Sequence, residues 1–220
     1  MIGDGLATFA GTALGLALAA WVALGAVQAV RSQLTRQRGL AGALRRLPAG
    51  VYGMALAHIG LAVTVAGITI SAGYAQEERL RMEPGQRAEL AGYQFLFEGV
   101  QSRSGPNYRS QYGTVRVTRG PREVAVLHPE KRSYASGGRP MTEAGIDGGF
   151  LRDLYVSLGE PLDETGAWSV RLYHKPLVRW IWLGAAMMTF GGLLAVSDRR
   201  YRSARRARET APSEAGAARA

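Results

Sequence analysis

The chain has 220 residues, 47% of them hydrophobic, and a formal net charge of +10. It contains no cysteine, which excludes disulfides, zinc–thiolate centres and a thiol nucleophile. A basic surplus suits nucleic acid, but its placement excludes that partner: residues 31–46 hold five arginines and no acid, residues 198–220 hold seven arginines against three acids, and residues 75–175 balance fourteen basic with thirteen acidic side chains.

Basic clusters beside apolar runs are where membrane orientation is written. The first run, Leu6 to Val30, is long enough to cross a bilayer, which takes about 20 apolar residues. It lacks the basic start of a secretory signal, since Asp4 is its only early charge, and it is too long for one. Residues 1–30 are therefore expected to form a first transmembrane helix, followed by a basic loop over 31–50. A second span is expected over 51–74 and a third over 176–197, with a basic, disordered tail over 198–220. The arginines place loop and tail in the cytoplasm, and hence the N-terminus and residues 75–175 outside. In a bacterium with two membranes, outside means the periplasm, and the chain is a multi-pass inner-membrane protein. Trp180 and Trp182 then fall near the outer interface, and Arg179 can extend its guanidinium toward water.

Residues 75–175 read as strands and turns. YQFLFEGV places Tyr93, Phe95 and Phe97 on one face; Val115 and Val117 lead into a turn at Arg119–Gly120–Pro121, with Val124 and Val126 beyond it. DLYVSLG and WSVRLYH form a further pair. A small antiparallel β domain is expected between the second and third helices, a barrel being one way to close it. Residues 101–113 and 136–149 read as irregular loops, and Glu130–Lys131–Arg132 as a solvated turn with a local ion pair. The segment has no glycine-rich phosphate loop, metal-spaced histidine pair or serine–histidine–acid set, and His128 and His174 read as ordinary surface or strand-end residues.

The stretch GMALAHIGLAV, Gly53 to Val63, places an imidazole inside the second apolar run. At 100° per residue, Gly53, Ala57, Gly60, Thr64, Gly67 and Ser71 form one small-residue stripe, the surface that lets another helix approach closely in lipid. His58 lies off that stripe, beside Met54, Leu61 and Val65. An ionisable group at this depth needs a cover. The residues leave three open: a hydrogen bond to another helix, a proton relay, or ligation of a cofactor such as haem. At about 1.5 Å per residue, His58 sits about 10 Å from Val51 and about 24 Å from Tyr74, which puts His174 out of reach and Met187 and Met188 about 9 Å away along the normal.

GMALAHIGLAVTVAGI, MEPGQ, FEGVQSRSGPNY, LHPEKRSY, MTEAGID, RDLYVSLGEPL and KPLVRWIWLGAAMMTFGGLLAVSDRRYR together resemble the C-terminal third of the CcmF family. These are haem-lyase (holocytochrome c synthase) subunits of bacterial system I cytochrome c maturation. The resemblance runs in register from about residue 50 to Arg202. It implies that His58, matching the second transmembrane histidine of the family, is an axial ligand of a b-type haem, and so binds haem iron. It further implies a part in attaching haem to the CXXCH cysteines of apocytochrome c, with haem delivered by the chaperone CcmE and the apoprotein presented by CcmH/CcmI-type subunits. The family's tryptophan-rich periplasmic motif, its flanking histidines and its first haem histidine lie upstream of everything matched here, and Trp21, Trp168, Trp180 and Trp182 do not reproduce that motif. An upstream CcmF portion should supply the second ligand, and the chain is not expected to catalyse thioether formation alone. The alternative is a non-catalytic membrane scaffold whose outer domain docks maturation partners.

Overall fold

A computed structural model describes residues 2–35, 47–163 and 166–198. The basic loop centred on 36–46 and the tail from 199 onward, both expected to be cytoplasmic, lie outside the described residues.

Among the described residues, three helices are long and apolar enough to cross a membrane: α1 (Ile2–Thr35), α2 (Ala49–Tyr74) and α3 (Val178–Val196). The first runs past its expected C-terminal end, because nothing there breaks it: there is no proline between Ile2 and Thr35, and no charge between Asp4 and Arg31. The third starts later than Pro176, which belongs to the preceding strand.

The expected stripe on α2 is a contact surface. A Cβ added at Gly53 would fall 2.5 Å from the Ala195 nitrogen and the Gly191 oxygen. One added at Gly60 would fall 2.8 Å from Met187 Cβ and the Met188 nitrogen, and Gly191 abuts Ala57. Glycines meet glycines across the α2–α3 contact, so backbone touches backbone, which is how helices associate where no hydrophobic effect drives them. Thr64 donates to the Ile181 carbonyl at 3.4 Å, and the Gly50 amide donates to Asp198 at 2.9 Å.

Between α2 and α3 the chain forms ten strands in two antiparallel sheets: a sandwich, not the barrel considered from the sequence. The first sheet runs β1 (Gln76–Met82), β10 (Trp168–Pro176), β9 (Arg152–Pro161), β8 (Gly145–Gly148). The second runs β2 (Arg87–Leu90), β3 (Tyr93–Ser104), β4 (Tyr108–Arg119), β6 (Glu130–Tyr134), β7 (Met141–Glu143), with β5 (Arg122–Leu127) also paired to β4. Phe95, Phe97, Val115, Val117, Leu154, Val156, Val170 and Leu172 are 0% exposed and form the core, with Met82, Leu127 and Leu158. The alternation of Tyr93, Phe95 and Phe97 is thus the core face of β3. A register shift between Val117 and Thr118 sets Leu127 opposite Val115 and Ala125 opposite Val117, so Val124 packs at the margin of the core and Leu127 is buried in it.

Three local readings are corrected. Residues 101–113 are the end of β3, a short turn and the start of β4, paired from Gln101–Tyr112 to Ser104–Arg109. Residues 136–149 contain β7 and β8. Glu130–Lys131–Arg132 is strand rather than turn: Arg132 pairs with Glu130 at 2.7 Å and Glu143 at 2.9 Å, and Lys131 pairs with Glu160.

Two outcomes are expected. Residues 75–176, expressed alone, should be soluble and give a β-type circular dichroism spectrum without bound haem. A mainly helical spectrum would contradict the sandwich. Gly184→Leu should weaken the α2–α3 contact, since its Cβ would meet the Gly60 carbonyl and Thr64; overpacking of this kind costs about 1–3 kcal/mol. Disulfide trapping between Ala57→Cys and Gly191→Cys, in a chain without native cysteine, should fall accordingly.

Candidate functional site

The three histidines fall in three different settings. His58 stands on α2, His128 in the link between β5 and β6, and His174 on β10. Among the described residues, no three His, Cys, Asp or Glu side chains come together in a way that could hold a metal ion.

His58 lines a groove of about 440 Å³ with Met54 of α2 and Leu18, Trp21, Val22, Gly25, Ala26 and Ala29 of α1. Gly25, Ala26 and Ala29 are the small residues that α1 contributes to it. Trp21 is 73% exposed on its wall. Nothing in the helical pattern couples Trp21 to His58; an indole well away from either end of a long apolar helix is the signal that points to it.

His58 Nδ1 is 2.8 Å from the Met54 carbonyl. A carbonyl can only accept, so Nδ1 carries a proton, and in the neutral ring Nε2 then keeps its lone pair. Nε2 has no hydrogen-bond partner among the described residues. A second-atom hydrogen bond of this kind, Nδ1–H to a backbone oxygen, is the usual orienting contact of a metal-ligating imidazole.

Met187 and Met188 are not offset by about 9 Å in depth, as the helix ends suggested. They abut Gly60, two residues from His58, or about 3 Å along the axis. The α2–α3 contact sets this register, since Gly53 meets Ala195 and Gly60 meets Met188. Direction, not depth, separates them from the imidazole: they touch the glycine stripe, and His58 faces the α1 groove.

In the sandwich, His174 is no ordinary strand-end residue. Its ring stacks on Tyr93 with centroids 6.1 Å apart, and its Nδ1 is buried without a hydrogen-bond partner. Arg152 donates to the Tyr93 hydroxyl at 3.1 Å and pairs with Asp147, and Arg119 lies 5.2 Å from the centre of the Tyr93 ring. Burial, then the nearby Arg152 and Arg119, holds the His174 pKa below its ordinary value. His128 stacks on Tyr112 at 4.9 Å, and Arg103 lies 3.4 Å from the centre of that Tyr112 ring.

A sandwich of two antiparallel sheets inserted between apolar spans, with one tautomer-fixed imidazole on the central span, defines a membrane protein with a candidate ligating helix face. The family model described as the CcmF C-terminal beta-sandwich matches residues 73–176, and the chain belongs to the CcmF family, as its C-terminal part. It is 54% identical over 185 residues to the cytochrome c-type biogenesis protein CcmF of Pseudomonas fluorescens, covering 84% of this chain and 28% of that protein. With CcmF of Escherichia coli (strain K12) it shares 45% identity over 201 residues, covering 91% of this chain and 30% of the relative. A solved structure titled cytochrome c heme lyase CcmF matches the fold with a TM-score of 0.68 at 20% identity, covering 85% of this chain and 30% of that one. The chain therefore spans under a third of the length of these relatives.

The His174 environment carries a pH dependence. With its folded pKa depressed below about 6.5, the unfolded chain takes up the proton first as pH falls. The stabilisation is present above the unfolded pKa and is lost as pH drops toward the folded one. Denaturant midpoints of residues 75–176 should fall between about pH 7 and pH 5, and His174→Phe should flatten that fall. Equal slopes for the two proteins would show that His174 does not titrate in this window.

Proposed function

We propose that His58 supplies one axial ligand of a b-type haem within the membrane part, and that the chain works in the assembly that attaches haem to apocytochrome c. One observation carries the reading: the Met54 carbonyl takes the Nδ1 proton, leaving an unpartnered Nε2 on the wall of an apolar groove. Its support is the donor chemistry, the position of His58 in a stretch resembling the family's second haem histidine, and relatives named for cytochrome c biogenesis.

Within this reading the residues have distinct tasks. Met54 fixes the tautomer. Leu18, Val22 and Ala26 keep water from the imidazole, and the glycine contact with α3 holds α2 in place behind it. Haem bound there would supply a one-electron couple inside the bilayer. A second ligand would come from a helix outside this chain, in an upstream CcmF portion, as the family resemblance implies. Periplasmic partners are CcmE, CcmH/CcmI-type subunits and the apocytochrome. The arginine-rich loop and tail face the cytoplasm, and the sandwich faces the periplasm.

Two measurements test this. In an assembly co-expressed with the N-terminal portion of CcmF, His58→Ala should abolish the six-coordinate b-type spectrum while the protein still inserts. An unchanged spectrum would sink the assignment, and a wild-type assembly without haem absorbance would leave the scaffold reading. For topology, a reporter active only in the periplasm should work when fused within residues 100–110 and stay silent after residue 202.

A further inference from the structure

The end of the sandwich nearest its helices is identifiable from contacts within it. Gln76, two residues after α2, pairs with His174, and Pro176 pairs with Arg152. Tyr93 stacks on His174, and Arg119 lies over Tyr93, so the turns β2–β3, β4–β5 and β8–β9 share this end. The first two turns carry Ala91–Gly92 and Arg119–Gly120–Pro121–Arg122, which are small or charged. The third is different: Gly149–Phe150–Leu151 exposes two adjacent large apolar side chains, each at 63%.

This turn is bound to the start of an apolar span. The Leu177 amide donates to the Leu151 carbonyl at 3.0 Å, and the Trp180 indole donates to the Phe150 carbonyl at 3.1 Å. The Phe150 and Trp180 rings lie 5.6 Å apart. Arg179 approaches Asp153 at 3.7 Å and packs against Gly148, which fixes the first turn of α3 on the β8–β9 connection. Leu177 adopts φ +54 to make the junction, a left-handed conformation that a leucine keeps only where its surroundings demand it. A water-soluble turn gains nothing by exposing Phe150 and Leu151. At the first turn of a membrane-crossing helix, beside a tryptophan of the kind that prefers the headgroup level, both side chains have an apolar phase within reach.

We propose that the β8–β9 turn is a membrane-interface wedge: Phe150 and Leu151 enter the acyl–headgroup boundary of the bilayer beside Trp180. Lys175, which lies 5.5 Å from the Tyr155 ring centre and 5.6 Å from that of Tyr173, and Arg179 stand at its rim, as side chains with long apolar stems and charged heads do at a lipid surface. The wedge gives the sandwich a second hold on the bilayer beyond its covalent spans, and it does so whichever side of the membrane the domain occupies.

The absence of native cysteine makes the test direct. The full chain in lipid nanodiscs would carry a spin label at Phe150→Cys, Leu151→Cys or, in the β3–β4 turn at the other end of the twelve-residue β3, Asn107→Cys. Collision with oxygen should exceed collision with a water-soluble nickel chelate several-fold at 150 and 151, and the order should reverse at 107. Chelate accessibility at 150 and 151 equal to that at 107 overturns the proposal. Hydroxyl-radical footprinting of the unmodified chain gives the same decision without a variant. Phe150 and Leu151 should be protected several-fold in nanodiscs relative to Met141, which is 55% exposed, after correction for intrinsic reactivity. Labelling in proportion to exposure would show a turn that stays in water.

Discussion

The ladder between β1 and β10 is the constraint on which the remainder depends. It runs from Gln76 opposite His174 to Met82 opposite Trp168, and it joins the first strand after α2 to the last strand before α3. Ala75 alone separates α2 from β1, and Leu177 alone separates β10 from α3. With so little slack, strand register sets where both spans begin. A slip of one residue would turn Leu80 and Met82 to solvent and carry Arg79 and Arg81 into the core, so the buried face holds the register firmly.

What the sequence made legible follows the strength of each physical signal. The three spans, the core face of β3 and the small-residue stripe of α2 were readable because burial imposes a period on them. Residues 101–113 were misread because that part of the hairpin extends beyond the core: Gln101 to Ser104 are all exposed, so no alternation is written there. The strand at Glu130–Tyr134 was hidden for another reason. Its charged side chains are held by Glu143 and Glu160, carboxylates far away in sequence, and a run of charge with distant partners looks like a solvated turn until the sheet is known. The expected offset of Met187 and Met188 assumes level helix ends, whereas glycine contacts that the sequence shows only as composition set the register of α3 against α2.

The balanced charge of the sandwich reflects the pairs its side chains make. Arg81, Arg116 and Arg132 each meet two carboxylates. Exposed pairs of this kind contribute little to stability, so they do not hold the sandwich together. Their effect is on register and solubility: they cover the outer faces of sheets whose inner faces are wholly apolar, and they leave the cationic surplus of the chain to segments beside the spans.

The imidazole at 58 is best understood from the cost of its two nitrogens. An unpaired polar atom in an apolar setting is expensive, and Nδ1 avoids that cost by donating to its own helix. Nε2 has no such local recourse. Of the side chains lining the groove, only the Trp21 indole could donate to it, and no such bond is made among the described residues. In the function proposed above, the Nε2 lone pair is the atom that ligation to an iron would use. The groove beside it is apolar, with Leu18, Trp21, Val22 and Met54 alongside the small Gly25, Ala26 and Ala29.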